Sequence, residues 1–252
     1  EDVGIEDFTL EWSFELNPLQ VVTDDQFDVV VASHPSSILG KAQGVPIDTL
    51  LTTQGNAVHT YHAMADSEIE SIDDFPGRTL GIQNDPDARA FNQEILQNEL
   101  DESQRGNVDQ ATVGYDVRTL VNGDVDIFST FPTNPDVVSL EVTDTASFTY
   151  LPMMDYVDVP GNVALASSQF TDQYPTLATE YTRAHARGLR DALDPDVTDD
   201  LVEACLAELE SQEVGDIFLE GAPPEEVLRT QLERFREFRQ IDAWDANGVG
   251  WN

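Results

Sequence analysis

One structural unit recurs along this chain: a short run of apolar, often β-branched residues, a polar loop, and then a helix. The pattern predicts a strand over 27–32 followed by a helix over 36–43, and a strand over 79–83 followed by a helix over 88–100. A further strand is predicted over 125–129. Apolar strands that alternate with helices are typical of parallel sheets covered on both faces, so we predict an α/β fold with parallel-dominated sheets flanked by helices.

The last third of the chain has the 3.6-residue periodicity of helices. Helices are predicted over 174–193, over 198–210 and from Pro223 to residue 241. The third begins with two prolines and has glutamates in its first turn, both of which favour a helix start. Since no low-complexity linker divides the chain, we expect two lobes that share crossing segments.

Charge constrains the surroundings in which this fold is stable. The 252 residues include 49 acidic and 12 basic side chains, for a net charge of -37, and Lys41 is the single lysine. Such a chain repels itself in ordinary salt, whereas molar salt shortens the screening length to about 3 Å. With 40% hydrophobic residues in clear patterns, we interpret the acidity as adaptation to high salt rather than as disorder.

Composition also limits the partners. So negative a surface disfavours nucleic acid and anionic membranes. No apolar run is long enough to span a bilayer, so any leader or anchor would lie in a segment outside this sequence. Cys205 is the single cysteine, which excludes an intrachain disulfide and a cysteine metal site; we expect it to be a small apolar helix residue.

The order of the motifs resembles a known family. The stretch "FDVVVASHPSSILGKAQGVP", then "FPGRTLGI" before a strand and "DYVDVPGN" before a later one, are similar to solute-binding proteins of ABC importers. The most similar group is related to the thiamine-pyrimidine synthase fold and binds thiamine pyrimidine precursors or riboflavin; sulfonate and nitrate binders are more distant. The resemblance covers nearly all of residues 8–240.

The resemblance implies a two-lobed periplasmic-binding-protein-like fold of type II, with the ligand in a cleft between the lobes. Lobe 1 would comprise residues 1–62 plus 160–252, and lobe 2 residues 78–158. Residues 63–77 and 151–162 would form the hinge or crossing segments. One departure is that the family has a helix and a strand after the segment ending at Asn17, and this sequence lacks them there, through a deletion or through missing chain.

In open α/β sheets, ligands bind beyond the carboxyl ends of the strands, and this rule selects the candidate loops. Aromatic rings at strand ends and hinges are candidates for stacking, with core packing as the alternative. Acidic side chains are candidates for accepting hydrogen bonds from an amino-heterocycle, with a solvated or capping role as the alternative. Serines at a helix start are also helix caps. The predicted ligand-binding residues are Trp12, Ser33, His34, Ser36, Gln54, Asn56, Gln83, Asn84, Asp116, Phe131, Asn134, Asp155 and Tyr156.

Catalysis is not expected. The segment around His34 lacks the glycines of a nucleophile elbow, and no neighbouring acid in the sequence is placed to orient the imidazole. The pyrimidine-forming enzymes of the resembling family use a lysine and a histidine in this region, where this chain has Ala32 and Ser36. Their later cysteine-rich segment matches 160–166, which contains no cysteine. Without the lysine there is no Schiff base to a pyridoxal cofactor, so we predict no cofactor.

A metal site is not expected either. His59 and His62 form the one close histidine pair, and on a strand they would face opposite sides.

We therefore predict the extracellular solute-binding component of an ABC importer, anchored at the cell surface like a lipoprotein through a segment outside this chain. It would be a monomer that captures a thiamine-precursor-like heterocycle and docks on ABC permease subunits. A sulfonate- or nitrate-type ligand is the first alternative. A synthase-like enzyme, or a sensor module that has lost the cleft, is the other.

Overall fold

The computed structural model describes residues 9, 17–54, 59–84, 86–158, 161–211 and 218–238. Its strands are β1 (Val29–Ser33), β2 (Ile47–Thr52), β3 (Thr60–Met64), β4 (Thr79–Gln83), β5 (Asp109–Val113), β6 (Ile127–Thr130), β7 (Phe148–Pro152) and β8 (Asn162–Ser167).

Ten α-helices lie before, between and after these strands in the described residues. They are α1 (Pro18–Thr23), α2 (His34–Ala42), α3 (Pro86–Glu99), α4 (Glu102–Arg105), α5 (Arg118–Val121), α6 (Pro135–Val142), α7 (Ser168–Gln173), α8 (Pro175–Leu193), α9 (Thr198–Ser211) and α10 (Pro224–Glu237). Short 3₁₀ turns occupy Ile72–Asp74, Met153–Asp155 and Pro195–Val197. None of the helices in the described part of the chain is long and apolar enough to cross a membrane.

The chain divides into two compact units. The first comprises Glu1–Ala57, Pro160–Asp191 and Gln240–Asn252. Its described sheet has the order β1-β8-β2, with β8 antiparallel to both neighbours and Ser33 opposite Asn162. The core of this unit lies beneath β8, where Val163 and Leu165 pack with residues of α1, β1 and β2.

The second unit comprises Val58–Val159 and Ala192–Arg239. Its five-stranded sheet has the order β5-β4-β6-β3-β7. Strand β4 is parallel to β5 and β6, whereas β3 is antiparallel to β6 and β7. Alternate residues face two cores: Leu80 and Ile127 pack into one with α3, and Phe128 packs into the other with α6. The sheet is therefore buried on both faces.

The predicted α/β class is confirmed, but the pairing is mixed rather than parallel-dominated. Of the six strand pairings in the described residues, two are parallel and four are antiparallel. Parallel neighbours need a crossover connection, usually a helix. Strands β3 and β8 each enter their sheet from a strand of the other sheet, β2 or β7, so neither follows such a crossover, and each is antiparallel to both of its neighbours.

The observed division also differs from the predicted lobes. The predicted lobe 1 includes residues 192–239, yet this segment groups with the second unit because Val227 of α10 packs against Val138 of α6. The predicted hinge 63–77 lies inside the second unit, where the preceding strand β3 is an interior strand. Where the resemblance implied a helix and a strand after Asn17, the structure has the six-residue helix α1, capped by the Asn17 side chain.

Candidate functional site

Most of the predicted ligand residues of the second unit lie at one edge of its sheet. The carboxyl ends of the parallel strands β4, β5 and β6 meet there. Because β3 and β7 are antiparallel partners in the register Thr60–Pro152, the start of β3 and the end of β7 reach the same edge. Gln83, Asp116, Phe131 and Asp155 follow or end four different strands at this edge.

The centre of the edge is polar and buried. Asn134 donates through Nδ2 to Thr130 Oγ1 (3.2 Å), and its Oδ1 accepts from the backbone N–H of Asp136 (2.8 Å), which caps α6. Gln83 ends β4 beside β6 and is 3% exposed. Among the described residues, its Nε2 has no hydrogen-bond partner. A buried amide donor without a partner is destabilising, so this atom is a strong candidate for a ligand contact.

A second polar pair lies on the other face of the same strands. Asn92 of α3 is 1% exposed and donates through Nδ2 to Ala88 O (2.6 Å) and to Ser129 Oγ of β6 (3.4 Å). Within the described residues, its Oδ1 is unpaired. The edge therefore presents an unpaired acceptor as well as an unpaired donor.

Aromatic rings lie at the same edge of the sheet. The rings of His59 and Phe131 are 4.2 Å apart between centroids and inclined by 38°, and the Phe91 ring is 6.0 Å from that of His59. Offset ring pairs of this kind suit stacking on a flat ligand. We define the strand-end site as His59, Gln83, Asn92, Ser129, Thr130, Phe131 and Asn134.

Asp116 is engaged by its own neighbour. Arg118 donates to it through Nε (2.8 and 3.0 Å), Nη2 (2.7 Å) and the backbone N–H (2.9 Å). The Arg118 side-chain hydrogen bond lowers the pKa of the Asp116 carboxyl. Asp116 follows β5 and Asp155 follows β7, and four strand spacings separate these positions by about 19 Å, more than one small heterocycle spans. The structure thus favours a local structural role for Asp116.

The remaining residues predicted in this unit lie at the margin of the edge. Asp155 and Asn84 are exposed, and Asn84 Oδ1 accepts from Arg89 Nη2 (3.3 Å). Tyr156 is partly buried against the core on the α3 side, and burial raises the pKa of its hydroxyl. None of these three side chains belongs to the strand-end site.

The first unit has a comparable edge of its own. Ser33 and Gln54 lie at or just after the carboxyl ends of β1 and β2, and the start of β8 lies between them. The Ser33 hydroxyl caps α2 by accepting from the Ser36 N–H (3.1 Å), so capping holds for Ser33. His34 Nδ1 is buried and unpaired among the described residues. Asn162 opens β8 opposite Ser33, and the sequence interpretation missed it.

Two predicted residues, Trp12 and Asn56, lie outside the described residues. The interpretation also missed His59 as a stacking ring, together with Asn92, Ser129 and Thr130. The sequence "FST" at the end of β6 could have indicated Ser129 and Thr130, because it places two hydroxyl residues at a strand end. Asn92 has no such local signal, since only the packing of α3 brings it to Ser129.

His59 and His62 contact different residues. His62 is fully buried against Tyr150 and Phe148, while the His59 ring faces Phe131. Burial lowers the pKa of His62 to about 3. Within the described residues, no three His, Cys, Asp or Glu side chains cluster as metal ligands.

The mixed sheets with polar strand ends define the fold of a periplasmic binding protein. Residues 7–197 match the family model described as NMT1/THI5 like, so the chain belongs to the NMT1/THI5-like family. None of the curated proteins matches the sequence.

Solved structures of low sequence identity share this fold. The periplasmic aliphatic sulphonate binding protein SsuA from Escherichia coli superposes with a TM-score of 0.61 at 11% identity, covering 93% of this chain and 79% of its own. The ligand binding component of an ABC-type import system from Staphylococcus aureus, with zinc bound, has a TM-score of 0.59 at 8% identity, covering 92% and 78%. The alkanesulfonate-binding protein SsuA from Xanthomonas axonopodis pv. citri, bound to MOPS, has a TM-score of 0.54 at 13% identity, covering 93% and 80%.

Proposed function

We propose that this protein is the solute-binding component of an ABC importer and that it captures an uncharged, flat heterocycle of the thiamine-pyrimidine-precursor type. Membership in the NMT1/THI5-like family supports solute binding, as does the fold shared with binding proteins of import systems. The protein is extracellular and is held at the cell surface by an anchor. It acts as a monomer and delivers its ligand to permease subunits.

The chemical groups of the strand-end site support this class of ligand. It contains no carboxylate, lysine or arginine, and its two unpaired atoms are an amide donor on Gln83 and an amide acceptor on Asn92. The His59–Phe131 ring pair lies at the same edge of the sheet. An aminopyrimidine presents ring nitrogens that accept, an amino group that donates and a face that stacks, so it offers a partner for each kind of group found at this edge.

A sulfonate- or nitrate-type anion is the second candidate, since SsuA proteins share the fold. Among the described cations near this edge, Arg234 contacts the loop after β6 and is paired with Glu141. Arg89 and Arg118 are two further cations near the edge that would favour an anion. Both are engaged: Arg89 donates to Thr112 Oγ1 (2.9 Å), and Arg118 holds Asp116 through an ion pair. An anion would have to compete with a bound carboxylate for Arg118, which makes the neutral ligand the better fit.

The residues at β1 and the start of α2 support binding without chemical transformation. The positions that the resembling enzymes fill with lysine and histidine are Ala32 and Ser36, and the Ser33 hydroxyl is occupied as a helix cap. We therefore propose a binding protein and not an enzyme.

Replacement of Gln83 by methionine tests the proposal. Q83M removes the unpaired donor at nearly constant volume, so we expect unchanged or slightly higher stability, by about 1 kcal/mol, and about tenfold weaker binding of the thiamine aminopyrimidine. The measurements are thermal melts and calorimetric titrations in molar salt, in which riboflavin, taurine and nitrate are each tested separately as alternative ligands.

Q93M, at an exposed position of α3, is the matched control and should change neither the stability nor the affinity for the aminopyrimidine. A melting shift with taurine or nitrate and none with the aminopyrimidine would transfer the assignment to the anion class. A Q83M protein that binds the aminopyrimidine as tightly as wild type would remove Gln83 from the site.

A further inference from the structure

The loop of residues 131–134 connects β6 to α6 and carries Phe131 and Asn134 of the strand-end site. Two of its backbone carbonyls accept hydrogen bonds from side chains of α10. Gln231 Nε2 donates to Thr133 O (2.7 Å), and Arg234 Nη1 donates to Pro132 O (2.9 Å). These donors lie 98 and 102 residues further along the chain, so the loop is held by a distant helix.

Arg234 is itself fixed in direction. Its Nη2 pairs with Glu141 of α6, and its guanidinium lies 5.0 Å above the centroid of the Tyr150 ring. Tyr150 donates its hydroxyl to the same Glu141 carboxylate (2.8 Å). The side chains of Arg234 and Glu141 are only 14% and 19% exposed. A guanidinium held between an acid and an aromatic face keeps its remaining N–H groups aimed at the loop.

Helix α10 is anchored to the element that the loop enters. Val227 of α10 is fully buried with Val138 of α6 and Ala222. Since α6 begins directly after Asn134, α10 braces both the loop and the helix that follows it.

From these contacts we infer that Gln231 and Arg234 are positioning residues of the binding site. They hold the 131–134 loop where Phe131 faces His59 and Asn134 donates to Thr130. Neither side chain is a member of the strand-end site; each acts through the loop carbonyls. The consequence for affinity rests on the proposed function, whereas the consequence for loop order does not.

Hydrogen exchange of the backbone amides measures how often the loop opens, and it needs no ligand. In the loop and the first turn of α6, Asn134 N–H donates to Phe131 O (3.0 Å), and Val138 N–H donates to Asn134 O (3.1 Å). Q231M removes one neutral hydrogen bond, so exchange over 131–138 should become about fivefold to tenfold faster, while exchange over α9 stays unchanged. The control R229Q, on the same helix, breaks surface pairs to Asp199 and Glu225 and should leave the loop at the wild-type rate.

Measurements of ligand affinity test whether the position of the loop affects binding. With the thiamine aminopyrimidine as probe, Q231M should raise the Kd about fivefold under conditions where every variant is fully folded. In an F131A background, the same substitution should have a much smaller effect, because the ring that the loop positions is gone. A purely structural role of Gln231 would give equal effects in both backgrounds.

Equal loop exchange in Q231M and R229Q would overturn the inference, and so would fast loop exchange with an unchanged Kd. If wild type does not bind the aminopyrimidine, the proposed ligand fails; the exchange comparison then decides the positioning role alone.

Discussion

His62 shows what burial does to one side chain in this protein. It is fully buried on β3, where Thr60 Oγ1 lies 3.2 Å from its Nδ1. Burial lowers its pKa to about 3, so the folded protein keeps this imidazole neutral in mildly acidic solution. In the unfolded chain the same group takes up a proton below about pH 6.5.

This difference predicts a pH dependence of stability. Between about pH 6.5 and 3 the unfolded state binds one more proton at position 62, so the free energy of unfolding falls as the pH falls. In H62Q this part of the dependence disappears, and the slope between about pH 4 and 5.5 should be shallower by about 1.4 kcal/mol per pH unit. Urea denaturation at a series of pH values measures it.

Above pH 8 the two proteins should have parallel profiles, because His62 is neutral in both states there. Profiles that stay parallel down to pH 4 would contradict the assigned burial of a neutral imidazole.

Among elements, α10 is attached to the second unit by the largely buried Arg234–Glu141 ion pair, by the apolar contact of Val227 with α6, and by side-chain hydrogen bonds to the 131–134 loop. Breaking a buried pair by removing one partner leaves an uncompensated charge, while an exposed pair is worth about 0–1 kcal/mol. Arg229 and Arg234 lie on the same helix, but the partners of Arg229 are 84% and 67% exposed, against 19% for Glu141.

We therefore expect R234M to lower the free energy of unfolding by about 3 kcal/mol, and R229M to lower it by less than about 1 kcal/mol. Chemical denaturation of both variants at one salt concentration measures the difference. Similar losses in the two variants would mean that the Arg234–Glu141 pair does not fasten the helix.

Several elements were predictable from local pattern. The bounds of β4 match the predicted strand 79–83, and α8 begins one residue after the predicted start. Helix α2 begins at His34 and not at residue 36, since the Ser33 hydroxyl caps it and Pro35 fits a first turn. The two outer strands of the five-stranded sheet, β5 and β7, were not predicted, because neither has a continuous buried apolar run: β5 has no buried residue, and β7 buries only Phe148 and Leu151.

At the scale of the whole molecule, the net charge of -37 sets the conditions for stability. Self-repulsion opposes the compact state, and its range falls from about 10 Å in 0.1 M salt to about 3 Å in 1 M salt. We expect the melting temperature to rise by at least about 6 °C between 0.1 M and 2 M KCl, equivalent to roughly 2 kcal/mol for a chain of this size.

Screening predicts that most of this gain appears below about 1 M. Sucrose, which carries no charge, is the control and should not reproduce that early rise. A melting temperature independent of KCl would contradict the interpretation of the acidity as salt adaptation.

Local features of the sequence are enough to predict the strand–loop–helix units, the polar residues at strand ends such as Gln83 and Asn134, and the charge. These depend on local periodicity, turn chemistry and composition, which act over a few residues. Tertiary packing was needed to set β3 antiparallel to β6, which brings His59 to Phe131, and to place α10 where it braces the 131–134 loop. Such contacts join residues 70 to 102 positions apart, and competition among buried surfaces selects them, not any local preference.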